Sequence, residues 1–153
     1  MEPTASMALR AARKAGDLIV RASDDMDRIG YQAKAAADFV TEVDIAAEKE
    51  ILYQLGKAYP EHRFLCEESG LSGNEDSDYT WVIDPLDGTT NFLHGLPHWA
   101  VSIALEHKGE IVAGVIFDAA KDELFFAEKG QGAWMNQTRL RVSGRQRMIE
   151  ALF

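Results

Sequence analysis

With 153 residues, 25 acidic and 16 basic side chains and a net charge of −9, the chain is large enough for one domain with its own core. It is too acidic for nonspecific nucleic-acid binding, which rests on Lys and Arg at phosphates, and nothing in that balance attracts an anionic membrane. The sequence has no run of apolar residues long enough to span a bilayer, no apolar signal core near Met1 and a single cysteine, Cys66, so the expectation is a soluble cytoplasmic protein without an internal disulfide.

Taken in order, Ala8, Ala11, Ala12, Ala15, Ile19, Ala22 and Met26 recur at helical spacing and predict a first amphipathic helix with an Ala-rich face suited to close packing. A second helix is expected to begin near Thr41. There Thr41 reads as an N-cap with Asp44 three residues on, close to a capping box but with Asp in place of Glu. Ala47, Ile51, Leu55 and Ala58 mark its apolar stripe, and Asp44 lies one turn earlier on the same stripe, so its carboxylate should point inward. Such a group either caps the helix or orients a water at the helix's positive end.

Phe64-Leu65-Cys66 is a short apolar run that delivers Glu67-Glu68-Ser69-Gly70 at its end, followed by a polar loop from Ser69 to Asp78. Adjacent carboxylates raise one another's pKa unless a cation lies between them. Solvated acids opening a loop are the competing interpretation.

Trp81-Val82-Ile83 reads as a buried strand that presents Asp84 at its end, where Pro85 should stop it by removing a backbone donor. Asp87 and Gly88 follow, then a short segment able to open as a helix. Two carboxylates are thus held on a stiff turn beside free N–H groups, a pairing that suits a hard divalent cation and a phosphate together. A calcium loop of the EF-hand type needs Glu at its twelfth position, but counting from Asp84 reaches Gly95 and from Asp87 reaches His98. A haloacid-dehalogenase-type site needs one residue between its carboxylates, whereas Pro85 and Leu86 make two. A plain Asp-Gly turn with solvated charges is the remaining alternative.

Beyond Pro97 the pattern changes to strands. Trp99 to His107 and Glu110 to Phe117 flank a Lys108-Gly109 turn, Glu123 to Ala127 follows a turn at Lys121-Asp122, and Ala133 to Val142 supplies one or two more. Helices followed by antiparallel strands predict an α+β fold, two N-terminal helices on a largely antiparallel sheet. None of the four histidines has metal-ligand spacing, so Zn²⁺ is not expected. His94 and His98 either line the cleft or are solvated. After four arginines between Arg139 and Arg147 the chain ends on the apolar Met148 to Phe153. Such an end reads as an element cut short, with an uncovered sheet face or edge that favours association.

These motifs together resemble the inositol monophosphatase family, most closely its bacterial SuhB-type branch. The resemblance rests on Lys34 through Asp44, Glu67-Glu68-Ser69, Trp81 through Phe92 with its Asp-Pro-Leu-Asp-Gly-Thr-Thr-Asn-Phe core, and Gly130-Gln131-Gly132-Ala133 with Asn136. It implies that residues 1–153 are the N-terminal metal-binding domain of an αβαβα sandwich, with the C-terminal α/β domain absent. It implies a Mg²⁺-dependent, lithium-sensitive phosphomonoesterase, typically a homodimer, acting on myo-inositol 1-phosphate. Sugar bisphosphates and nucleotide 3′-phosphates are the neighbouring substrates. By the same resemblance, Glu67, Asp84 and the carbonyl of Leu86 hold a first Mg²⁺, and Asp84 bridges to a second shared with Asp87. Glu67 and Thr89 activate the attacking water with Asp44 behind Thr89, while Asp87 and the N–H groups of Gly88 and Thr89 bind substrate. The family's later Trp-Asp-x-Ala motif, which completes the second ion's ligands, does not occur: the last Trp, Trp134, precedes Met135. A different class is also implied, since SuhB-type relatives take part in transcription antitermination with RNA polymerase and Nus factors.

Overall fold

The protein is described by a computed structural model over residues 2–29 and 33–152, without the side chains of residues 27 and 29. Helices α1 (Pro3–Ile29) and α2 (Ala33–Ala58) precede strands β1 (Arg63–Cys66), β2 (Gly70–Gly73) and β3 (Tyr79–Asp87). A short helix α3 (Thr89–Leu93) follows, then β4 (Ala100–His107), β5 (Glu110–Asp118), β6 (Glu123–Glu128), β7 (Gly132–Met135) and β8 (Thr138–Leu140). Among the described residues these strands form one sheet in the order β2-β1-β3-β4-β5-β6-β7-β8. Only the β1–β3 pair in that sheet is parallel; the other neighbours are antiparallel. The α+β expectation holds.

The helices cover one face of the sheet. Ala8, Ala11, Ala12 and Ala15 of α1 are fully buried with Ile19, against Val101, Ile103, Leu105, Val115 and Phe117 from the strands. Small side chains let the helix approach closely: a Cβ on Gly16 would stand 2.5 Å from the Phe117 ring. From α2, Ala47, Ile51 and Leu55 complete the layer, as their spacing predicts. On the opposite face Leu65 and its cross-strand partner Leu71 are 40% and 67% exposed, and Ile116 is 50% exposed. Among the described residues no helix is long and apolar enough to cross a membrane.

Three sequence expectations need correction. First, α2 begins at Ala33, so Thr41 lies inside the helix and donates its hydroxyl to the Ala37 carbonyl at 3.1 Å instead of capping. The Ala35-Ala36-Ala37 run, best of the helix formers, carries the helix through the expected boundary. Second, Pro85 does not end its strand. β3 continues to Asp87 because the register with β4 breaks between Asp84↔Ser102 and Asp87↔Ala100. Pro85 and Leu86 stand outside the ladder, where a missing donor is harmless. Third, the loop from Ser69 to Asp78 contains β2, a polar edge strand with no alternation to reveal it, closed onto β1 with Cys66 opposite Gly70.

The strands after Pro97 match expectation. Lys108 and Gly109 both take positive φ, 52° and 83°, as a tight two-residue hairpin requires. The stretch near the C-terminus holds a 3₁₀ turn at Met148–Glu150, where Arg147 pairs with Glu150 and Ile149 is 88% exposed.

Candidate active site

Parallel pairing of β1 and β3 makes their C-terminal ends neighbours. Cys66 stands opposite Ile83, and the Glu67 N–H donates to the Ile83 carbonyl at 3.1 Å. Glu67, just past the end of β1, and Asp84, within β3, therefore stand side by side. Just beyond, the Leu86 N–H donates to Asp84 Oδ1 at 3.2 Å, closing the bulge that carries the chain to Asp87. Gly88 then turns with φ 90° and ψ 36°, the left-handed region that favours glycine. A Cβ there would also press on the His98 carbonyl at 3.0 Å and on Trp99 at 3.3 Å. Helix α3 starts at Thr89 and is fixed from below by Phe92, buried edge-to-face on Trp99 at 5.7 Å. Asn91 donates its amide to the His98 carbonyl at 2.8 Å and ties the loop back to the turn.

Helix α2 faces these strand ends with Asp44, which is 5% exposed. Together they enclose a cleft of about 360 Å³ whose polar lining is Asp44, Glu67, Glu68, Asp84, Asp87 and the Gly88-Thr89-Thr90 turn. Five carboxylates meet here without a basic side chain among the lining residues. Burial first, then the charges of Glu68, Asp84 and Glu67, push the Asp44 carboxyl up to about 7. Asp84 is also pushed upward, by burial, by a carboxyl–carboxyl contact with Glu67 and by the charges of Glu67 and Asp87; the Leu86 N–H works against the rise.

Asp44 Oδ1 is buried without a hydrogen-bond donor. Its carboxyl neighbour Glu68 offers only oxygen, so a bond between them needs a proton on one partner. A lone pair left unmet among like charges is a destabilising arrangement in the protein alone. An ion would supply what is missing, and an all-oxygen carboxylate set suits a hard one such as Mg²⁺. Among the described residues no three acidic, His or Cys side chains already converge tightly enough to chelate a cation. The acids line one cleft rather than a closed cage, and side-chain rotation is needed to gather them. The donor chemistry and the orphaned oxygen nevertheless fit a divalent cation.

The sequence-predicted residues Asp44, Glu67, Asp84, Leu86, Asp87, Gly88 and Thr89 all line this cleft. Pro85 and Leu86 lie outside the β3–β4 register, so the Leu86 carbonyl is not required by that ladder. His94 and His98 are exposed and do not line the cleft, and His62 is buried elsewhere, in an aromatic stack. Two residues of this region were given no role of their own by sequence reasoning. Glu68, paired in sequence with Glu67, adjoins Asp44. Glu48, 3% exposed, accepts the Glu68 N–H at 2.9 Å. Its position four residues after Asp44, on the inward stripe, was the available signal.

The sequence profile of the Inositol monophosphatase family matches residues 1–152. Among curated relatives, the Nus factor SuhB of Pseudomonas aeruginosa is 52% identical over 154 residues, covering 99% of this chain and 57% of that protein. The inositol-1-monophosphatase of Mesorhizobium japonicum is 48% identical over 144 residues, covering 94% of this chain and 54% of that protein. In three dimensions the extragenic suppressor protein SuhB of Bartonella henselae superposes with a TM-score of 0.85 at 47% identity, covering 95% of this chain and 56% of that one. The chain thus spans a little over half the length of the relatives it matches. A family match across nearly the whole chain, with relatives about half identical to it, shows that the chain belongs to the inositol monophosphatase family.

Proposed function

We propose that this cleft serves Mg²⁺-dependent hydrolysis of a phosphate monoester, with myo-inositol 1-phosphate the first substrate to test. The observation that carries the reading is the side-by-side placement of Glu67, just past β1, and Asp84, in β3, opposite a buried Asp44 whose Oδ1 lacks a donor. Glu67, Asp84 and the Leu86 carbonyl would hold one ion, and Asp84 with Asp87 would share a second. When bound, Mg²⁺ supplies charge neutralisation at the phosphate and a water of lowered pKa.

The chain's own groups do the rest. The N–H groups of Gly88 and Thr89, at the turn that only glycine accommodates, orient the phosphate, and Asp87 beside them contributes to substrate binding. Glu67 accepts the proton of the attacking water, and the Thr89 hydroxyl aligns that water. Asp44, lining the same cleft, would support Thr89 from behind. Phosphate release in Mg²⁺, with Glu67→Gln as the control, tests the assignment: release by the wild type and its loss in the variant support it, and equal rates overturn it.

The P. aeruginosa relative's name favours a second reading, in which the protein acts in transcription with RNA polymerase and Nus factors. Net charge of −9 then argues for protein contacts rather than direct nucleic-acid binding. A cytoplasmic homodimer is part of both readings.

A further inference from the structure

We propose that Glu48 is a positioning residue: its carboxylate sets the direction in which Glu67 leaves β1 by fixing the peptide of Glu68. The inference rests on the cation-binding reading of the cleft given above and adds a residue to it.

Two hydrogen bonds bracket Glu67. On its N-terminal side, the Glu67 N–H belongs to the peptide shared with Cys66 and donates to the Ile83 carbonyl at 3.1 Å. On its C-terminal side, the Glu68 N–H belongs to the peptide shared with Glu67 and donates to Glu48 Oε2 at 2.9 Å. With both flanking peptide planes held, φ and ψ of Glu67 are fixed, and so is its Cα–Cβ direction. The first anchor is β3, which also carries Asp84; the second is α2, which also carries Asp44. Every acid of the cleft is thereby referenced to the same two elements. Glu48 and Asp44 are one helical turn apart on the inward face of α2, so one turn sends one acid into the cleft and another beneath it.

The residue type is informative. Glu48 is 3% exposed, close to an acidic cleft, where a further carboxylate is unfavourable on stability grounds alone. What the position uses is the acceptor oxygen, which holds the Glu68 peptide through the 2.9 Å bond. The long Glu side chain also spans from the helix to the β1–β2 turn, a reach that Asp lacks by one methylene.

Calorimetric titration with Mg²⁺ of the full 153-residue chain tests this, using Glu48→Gln, Glu48→Met and Glu48→Asp. The Gln variant keeps an acceptor at the same reach and is expected to bind within about threefold of wild type. Met fills the volume without an acceptor and should weaken binding about ten- to a hundredfold, the usual effect of losing a group that orients a metal ligand. Amide exchange at Glu68 should accelerate in the Met variant and stay protected in the Gln variant. Should the Met variant fail to fold, the Asp variant, which keeps the charge but not the reach, is expected to show the same loss. Wild-type affinity in the Met and Asp variants would overturn the proposal, as would a Gln variant as weak as either of them. Asp84→Asn separates the two levels: if it binds Mg²⁺ like wild type, the cation reading itself has failed, whatever Glu48 does.

Discussion

The two ends of the β1–β3 pair are built on opposite terms. At the end where the strands enter, His62 lies stacked between Tyr59 and Tyr79, each at 4.8 Å, and Tyr79 stacks in turn on His107 at 4.2 Å. Trp81, fully buried, donates its indole N–H to His62 Nδ1 at 3.1 Å, which assigns the ring proton to Nε2. Nearby, Arg63 donates to the Thr80 hydroxyl at 3.0 Å. At the exit end of the same strands, carboxylates crowd together and Asp44 Oδ1 finds no donor. Burial acts on both ends in opposite directions, lowering the His62 pKa and raising that of Asp44. One end therefore supplies stability through satisfied polar groups in close packing. The other crowds carboxylates and leaves a buried oxygen unmet, at a cost in stability.

The sharpest break in that comparison is Asp84→Asn. Hydrolysis in Mg²⁺ should fall on the order of a thousandfold or more, because on the proposed reading Asp84 would be a ligand to the cations the reaction needs. Calorimetry should show tight Mg²⁺ binding abolished, while Glu68→Gln should weaken it much less. The metal-free Asp84→Asn protein should melt no lower than wild type, since it loses a charge that its surroundings oppose. A lower melting temperature with unchanged Mg²⁺ affinity would mean that the acidic end is structural after all.

At the stacked end the expectation reverses. Trp81→Ala removes a fully buried indole and leaves His62 without its donor, at about 3–5 kcal/mol of stability by denaturant titration. If that variant unfolds at the wild-type denaturant concentration, the stack is not where the stability resides.

The contrast between the two ends also explains what the sequence disclosed. Asp84, Asp87 and Gly88 were legible because a strand, a Pro and a Gly fix local geometry within five residues, and short-range constraints are written in short-range sequence. The apolar stripes of α1 and α2 were legible for the same reason. By contrast, the start of α2 was hidden because Thr41 carries a capping signal that three consecutive alanines override. β2 was hidden because its register comes from β1 rather than from its own pattern. Helical spacing could place Glu48 on the inward stripe, but its bond to Glu68 and the Asp44–Glu68 contact were hidden because they join α2 to a turn twenty residues and more downstream.

A finer test uses pH in the metal-free protein. Asp44 titrates near 7 when folded against a reference of 3.8, so the native state binds more protons between those values. Its contribution is fully present below about 3.8 and is lost as pH rises through about 7. Melting in a chelator should therefore fall between pH 5 and pH 8 more steeply for wild type than for Asp44→Asn, whose amide can donate to Glu68. At pH 8 the variant should be the more stable by on the order of 1 kcal/mol, and saturating Mg²⁺ should erase the difference. Parallel profiles with and without the ion would remove Asp44 from the electrostatics of the cleft.

The smallest expected effect lies at the other end and has the opposite sign. His62 has its pKa lowered from 6.5 by burial, against a weaker upward pull from Glu61, whose carboxylate is 3.8 Å from Nε2. The unfolded chain therefore takes up a proton at a pH where the buried ring resists it. Stability from this group is fully present above pH 6.5 and is lost as pH falls through the lowered folded value. Protonation would also remove the lone pair on Nδ1 that accepts the Trp81 N–H, so titration and loss of the bond are one event. His62→Phe keeps an aromatic ring in the stack but neither accepts that bond nor titrates. At pH 8 it should be less stable than wild type by about 1–3 kcal/mol, the penalty for a buried donor left unmet. Toward pH 5 the gap should narrow, because wild type loses what the variant never had. Because Asp44 and Asp84 act in the reverse direction over an overlapping range, the comparison is made as a difference between the two proteins at each pH, with Mg²⁺ absent from both. A gap that stays constant from pH 8 to pH 5 would show that His62 titrates alike in the folded and unfolded chain, and the stacked end would lose its proposed pH dependence.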